Sequence, residues 1–470
     1  MRCVLLLGLL SACVSTARIE RETGGDVDGV RAAASARVGQ EPPPRTSAPD
    51  DGSIDAAVRE MLAGELDEAT AVKVALLNNR VVRERYERLG VARAELVQAG
   101  LLRNPVFSGN AKFFGGGTEV ELTLAGSFIE LFYRPLRKRI AAAELEAAKA
   151  EVTRDLVALA FDVRRALVGV RAGERLVAAR RTSLAAASAS HGLMRSLHEA
   201  GNVTDARLTA EELGEARARL DLAAAEAASV EAREPMQVLL GIWGTATTWR
   251  VAGELPDTVG DALDLEHVES KAIAQSLDLA ANRSQIEAAA QAAGLARWEG
   301  LFPALEAGVA AKRESSDGSW GLGPDLALTV PLFDQGQARR AKQVAILRER
   351  IAHHVALAVE IRSAARTYRD RVASLRDRSG YLRETYLPLR TKLLGETLAN
   401  YNAMQVGAFE VLLAKQQELD AQREYVETLR LAWEARLDLE ELLAGSYRAP
   451  RAMGEAEAAP SGHESPGKGH

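Results

Sequence analysis

Residues Leu322-Gly323-Pro324-Asp325-Leu326-Ala327-Leu328-Thr329-Val330-Pro331-Leu332-Phe333-Asp334-Gln335-Gly336 carry the change of period that decides the fold. Leu322, Leu326, Leu328 and Val330 alternate with Gly323, Asp325, Ala327 and Thr329, the period of two that belongs to a strand with unlike faces. Beyond Gly336 the period becomes seven. Val344, Ile351, Ala358, Ala365 and Val372 recur at heptad spacing, with Leu347, His354, Ile361, Tyr368, Leu375 and Leu382 three positions further on, as the seams of a coiled-coil stripe. Pro331 closes the strand, Asp334 is placed to cap the helix, and Gln337 completes a capping box. From Asp334 to Asn400, with a bend at Pro388, the pattern predicts roughly 100 Å of helix at ~1.5 Å per residue.

Working outward, the same order occurs earlier in the chain. A helical pattern from Leu66 to Leu102, interrupted at Asn78-Asn79, stops before Asn104-Pro105. Phe107, Ala111 and Phe113 then alternate with Ser108, Asn110 and Lys112. After Gly115-Gly116-Gly117, Val120, Leu122, Leu124 and Phe128 alternate with Glu119, Glu121, Thr123 and Ser127, an amphipathic hairpin. A second long helix is predicted from Pro135 to Glu199, with Leu156, Val163, Val170, Val177 and Leu184 seven apart. It reverses at Gly201-Asn202-Val203-Thr204 into a return helix kinked at Pro235. In the second half, Leu305, Ala307 and Val309 alternate with Glu306, Gly308 and Ala310, and the long helix reverses near Val406-Gly407-Ala408-Phe409. Pro105 and Pro303, Phe132 and Phe333, Gly201 and Gly407, and Gly241 and Gly445 are separated by 198, 201, 206 and 204 residues, which a tandem duplication explains most simply.

Length and composition set the outer limits. Of 470 residues, 26% are charged and only 5% aromatic, which favours long helices over compact cores. The net charge of −6 lies without basic blocks, arguing against nucleic acid. Both cysteines, Cys3 and Cys13, fall at the start, so no thiol elsewhere serves a disulfide, a zinc site or a nucleophile. Arg2 and the apolar run Val4 to Leu10 read as an export signal, and Leu10-Ser11-Ala12-Cys13 as a lipobox that makes Cys13 a lipidated first residue. No other apolar run approaches the ~20 residues of a spanning helix, so any membrane crossing falls to strands. The domain plan is a signal over residues 1–12 and a lipidated tether over 13–53. A first repeat covers 54–241, a linker or equatorial segment 242–262, a second repeat 263–445 and a disordered tail 446–470.

On Pro331-Leu332-Phe333-Asp334-Gln335-Gly336, the tip Tyr401-Asn402-Ala403-Met404-Gln405-Val406-Gly407 and the following Glu410-Val411-Leu412-Leu413, the chain resembles the TolC-like outer membrane efflux protein family from Leu66 to Gly445. The resemblance implies a mainly α fold with a membrane β-barrel: long duplicated helical hairpins forming a periplasmic α-barrel, and four strands per protomer closing as a twelve-stranded trimer. It also implies a periplasmic adaptor and an inner membrane transporter as partners, with no cofactor and no catalysis. Lipid forbids open sheet edges, and three copies of four strands give an even-numbered barrel. Val120, Leu122, Leu124, Leu305, Val309, Leu326, Leu328 and Val330 are then expected to face lipid, and Glu119, Glu121, Glu306, Lys312, Asp325 and Thr329 to line water. Phe113, Phe114 and Trp320 suit an interfacial aromatic belt. The tips Gly201, Asn202, Val203, Thr204, Val406, Gly407, Ala408 and Phe409 are expected to dock the adaptor, and Asp205 and Glu410 to serve as gate residues.

Competing readings fit less well. A periplasmic adaptor or a structural coiled-coil lipoprotein would share the hairpins and the lipid, but not two membrane-length strand pairs. Gly321-Leu322-Gly323 lacks the rest of a dinucleotide loop, and no nucleophile constellation supports a hydrolase. His354 is a seam residue expected to pack, His353 points elsewhere, and the pairs Glu211-Glu212 and Glu440-Glu441 lie on Arg-rich solvated faces.

Overall fold

The computed structural model describes residues 15–44, 51–114, 117–260, 265–314 and 318–450. The export signal, Cys13, the turn glycines Gly115 and Gly116, Ser315 to Asp317 and residues 451–470 lie outside them, as do the side chains of Phe114 and Ala408. In chain order the elements are α1 (Thr16–Val38), α2 (Asp51–Ala63), β1 (Glu65–Leu66), α3 (Glu68–Asn78), α4 (Arg80–Ala99), β2 (Val106–Phe114), β3 (Gly117–Ser127) and α5 (Glu130–Glu199). There follow α6 (Asp205–Glu231), α7 (Arg233–Leu240), β4 (Arg250–Val251), α8 (Val268–Gln275), α9 (Leu277–Leu301), β5 (Leu305–Glu314) and β6 (Trp320–Leu328). The last helices are α10 (Gln337–Tyr381), α11 (Leu387–Asn402) and α12 (Ala408–Leu443).

The sheet runs β2-β3-β5-β6 and is antiparallel throughout. Below it α5, 70 residues long, extends about 105 Å at ~1.5 Å per residue and packs on α9, α6, α12 and α4. It begins at Glu130, before the expected start, so Pro135 sits inside the helix. Pro235 acts where expected: the return helix breaks at Ala232, one residue beyond the carbonyl that the imide nitrogen leaves unbonded. Around Pro388 the bend takes the form of a π-helical turn, Leu382–Tyr386, between α10 and α11.

The core sits at the waist, roughly midway along the helices. The seam of α10 is buried from Ile361 through Ala365, Tyr368, Val372, Leu375 and Leu382. Nearer the sheet the seam is less buried, with Ile351 exposed, and the off-seam Val355 and Val359 are exposed as well, on a side of α10 that α9 does not cover. His354 packs as expected, its Nδ1 3.0 Å from Asn282 Oδ1 on α9. One device closes each helical set at the waist. Asn79 breaks α3 from α4, and its amide and that of Asn78 donate to the carbonyls of Leu239, Leu240 and Gly241 at 2.8–2.9 Å. In the second half Ser276 caps α9, and Leu277 N donates to Gly445 O at 2.9 Å. The segment Trp249 to Gly260 clasps the two sets: Arg171 and Arg175 of α5 donate to Ala252 O and Leu255 O, and Trp433 Nε1 and Arg436 of α12 donate to Pro256 O and Gly260 O.

Four expectations are corrected. Residues 13–53 are not a tether throughout, since α1 spans 23 of them and buries Val27, Val30, Ala34 and Val38. Its Asp26, nearly fully buried, takes a bidentate bond from Arg93 of α4 at 2.6 Å and an ion pair from Lys149 of α5 at 2.9 Å. The tail begins later than residue 446, because Ser446 to Arg448 pack, with Tyr368 OH donating to Arg448 O at 2.9 Å and Arg448 pairing Asp162 at 2.6 Å. Asp334 does not cap α10. The cap is Gly336, while Asp334 Oδ1 accepts from Gly336 N and Gln337 Oε1 from Gln335 N, both at 2.8 Å, forming a compact turn ahead of the helix. The strand also does not hand over directly: β6 ends at Leu328, eight residues before Gly336, leaving Thr329, Val330, Pro331, Leu332 and Phe333 in the connection.

Candidate functional site

Residues opposite one another in an antiparallel ladder share a face, so the register assigns every strand position. Val120 pairs Ala111 and Arg313, Leu122 pairs Gly109 and Ala311, and Leu124 pairs Phe107 and Val309. Leu305 pairs Leu328, and Ala307 pairs Leu326. These residues form one face, and Phe113 and Trp320 join it near the turns. The other face brings together Glu119, Glu121, Glu306, Lys312 and Asp325, through Lys112 opposite Glu119, Glu121 opposite Lys312, Glu306 opposite Ala327, and Gly308 opposite Asp325. Thr329 and Val330 fall beyond the ladder, although Thr329 N still donates to Ala304 O at 3.2 Å.

Within one chain the apolar face is uncovered, with Leu326 70% and Leu328 61% exposed. The polar face near the turns is internally balanced: Glu119 lies between Lys112 at 3.9 Å and Lys312 at 3.3 Å. Sequence reading overlooked that balance, and also Arg313, which stands on the apolar face beside Val120 and Trp320; a charge in an apolar register was the available signal. Much of the polar face midway along the strands consists of small residues such as Ala125, Gly308, Ala310 and Gly323.

At the opposite end the two helical reversals share one geometry. Gly201 adopts φ +74°, its N–H donating to His198 O, and Asn202 N donates to Leu197 O. In the second hairpin the corresponding residue is Met404, at φ +58°, with Met404 N donating to Tyr401 O and Gln405 N to Asn400 O. The pairing of Gly201 with Gly407 is therefore corrected: Gly201 matches Met404, Val203 matches Val406, and Thr204 matches Gly407, which caps α12 in extended conformation. The signal was weak because a methionine occupies a left-handed position that ordinarily selects glycine. Met404 is 93% exposed and Phe409 about half exposed.

Of the two gate candidates, Asp205 opens α6, its Oδ1 2.6 Å from the ring Nε2 of His198. Glu410 turns its carboxylate back over Gly407 at the start of α12. Deeper in the first hairpin, Glu215 bridges His191 Nδ1 at 2.6 Å, Ser188 at 2.9 Å and Arg219 at 2.6 Å. The bond to His191, followed by that to Ser188, holds the Glu215 carboxyl below its ordinary pKa. Glu211 receives a short bond from Ser190, so it staples α6 to α5 as Glu215 does, while Glu212 stands exposed as expected. Glu418 does the same on α12, nearly buried against Thr391 and Lys415. No cluster of metal-ligating side chains is assembled among the described residues.

No family sequence model and no curated protein matches the chain. Solved structures do. The outer membrane protein VceC of Vibrio cholerae superposes with a TM-score of 0.67 over 84% of this chain and 97% of its own, at 16% identity. The MtrE outer membrane channel of Neisseria gonorrhoeae in its open state gives 0.66 over 83% and 89%, at 15% identity. A membrane protein from Pseudomonas aeruginosa gives 0.66 over 83% and 94%, at 18% identity. The fold is the TolC-like fold of these proteins.

Proposed function

We propose that the chain is one protomer of a passive outer membrane duct, through which a tripartite efflux or secretion assembly discharges cargo. The single observation that carries this reading is the four-stranded sheet with one apolar face, one polar face and two open edges, mounted on long helices of which α5 extends about 105 Å. In hydrocarbon an open edge leaves backbone groups unbonded at several kcal/mol each, so β2 of one copy must pair with β6 of the next. Three copies close twelve strands, with Val120, Leu122, Leu124, Leu305, Val309, Leu326 and Leu328 towards lipid and Glu119, Glu121, Glu306, Lys312 and Asp325 towards water. The same packing gives Ile351, Val355 and Val359 of α10 a partner in the neighbouring copy. The duct performs no chemistry; its small polar-face residues leave the bore to select by size and diffuse charge.

The tips are the proposed docking points for an adaptor. Both reversals expose backbone groups that helices no longer satisfy, and Met404 offers an apolar contact at the end of the second hairpin. Asn202→Trp leaves the turn's backbone bonds intact, so melting should move by no more than ~0.5 kcal/mol in stability terms. Adaptor crosslinking and export from cells should nonetheless be lost, and full export by a normally assembled variant would assign the tips a structural role only. Cys13 is proposed to carry the lipid. Cys13→Ala should abolish labelling by a radiolabelled fatty acid, and unchanged labelling would show the lipobox to be misread.

A further inference from the structure

Immediately below the strands, exposed apolar side chains at the β3–α5, α9–β5 and β6–α10 connections give way to basic ones, several of which are unpaired on α5 and α10. Phe128, Phe132, Trp298, Phe302, Leu332 and Phe333 are all at least half exposed, Phe333 by 92%. Helical spacing then sets basic residues beneath them on α5: Arg134 and Lys138 follow Leu131 by three and seven positions, and Arg139 follows Phe132 by seven. Arg134, Lys138, Arg139, Arg340 and Lys342 are exposed and make no ion pair among the described residues. Over residues 92–105, 128–141, 291–304 and 329–342 there are ten Lys and Arg against four Asp and Glu, a surplus of six that falls to five once Arg93 is set against its partner Asp26, in a chain whose net charge is −6.

We propose that this collar binds the anionic phospholipid headgroups of the bilayer leaflet nearest the helices, and so sets the depth at which the sheet rests. The inference rests on the membrane-duct reading above. A second copy of the chain does not neutralise the collar, because neighbouring copies present the same surplus at the same height and repel. A phosphate layer does, and it accommodates the order seen here, with aromatic side chains at the hydrocarbon boundary and long basic side chains reaching the headgroups. Each Lys or Arg near an anionic surface contributes enough that a handful should raise partitioning by tenfold or more.

The test reconstitutes the full-length protein into vesicles of phosphatidylcholine alone and of phosphatidylcholine with 30% phosphatidylglycerol, reading insertion by flotation. The variants are a five-fold Gln replacement of Arg134, Lys138, Arg139, Arg340 and Lys342 and a matching version with Lys at the three arginines. Wild type and the Lys version should insert at least tenfold better into the anionic vesicles, with the difference shrinking as salt is raised, and the Gln version should lose it. Equal insertion of wild type into both vesicles overturns the inference, as does abolition of the preference by millimolar inorganic phosphate, which would mark a free-anion site. Should the Gln version fail to fold, the wild-type vesicle preference and its salt dependence still decide. Failure to insert into either vesicle contradicts the membrane-duct reading itself, whereas equal insertion contradicts only the collar.

Discussion

Gly300→Val is expected to abolish accumulation of the assembled protein. A Cβ on Gly300 would stand 2.2 Å from Gln335 O, and one on Gly336 would stand 2.7 Å from Gly300 Cα, so the end of α9 and the turn opening α10 touch backbone to backbone. Backbone cannot swing aside as a side chain does, and overpacking of this kind costs about 3 kcal/mol or more. Gly336 also holds φ +76°, so even Ala there adds ~1–2 kcal/mol of left-handed strain. This contact fixes how strands leave and rejoin the helices, and its loss should be felt across the sheet. Gly294, in the same helix with nothing within 4 Å of its Cβ position, supplies the control. Gly294→Ala should be neutral or stabilising by up to ~1 kcal/mol. The amount of assembled protein in the membrane fraction separates the cases, and a Gly300→Val protein that accumulates and melts like wild type would show the close approach to be unimportant.

The second large effect concerns the two faces of β3. Leu122, at the centre of Gly117–Ser127, lies on the apolar face, and Thr123 beside it lies on the polar one. Arg at a lipid-facing midplane position costs about 2–4 kcal/mol, incurred once per copy. Leu122→Arg should therefore all but eliminate the outer membrane form, while Thr123→Arg, pointing into water, should assemble and export at near wild-type levels. Fractionation of cells expressing each variant reads the difference. Equal assembly of the two would remove the assignment of lipid and water to the faces.

Much of this was legible because period is a direct imprint of environment. The alternation at Leu326 and Leu328, like that at Val120 to Leu124, survived intact in the register, and the heptad stripe is buried from Ile361 to Leu382, at the waist. What escaped was carried by small or polar residues. The buried apolar positions of α1 are only three valines and an alanine, all after Gly24-Gly25, too weak an apolar signal to mark a helix that Asp26 secures through charge. Asp334 looked like a cap by spacing alone, but the contact with Gly300, a residue with no local signature, places the cap at Gly336. Met404 hid the register of the second tip because its backbone conformation is set by the Schellman-type bonds around it rather than by its own preference.

Closure of the open sheet edges by neighbouring copies is tested most directly by native mass determination of the full-length protein in mild detergent. Three chains per particle are expected, held together as detergent is exchanged. A single chain that stays monodisperse and soluble after detergent removal would contradict the barrel, because a lone sheet with eight leucines and valines on one uncovered face has no means of remaining in water.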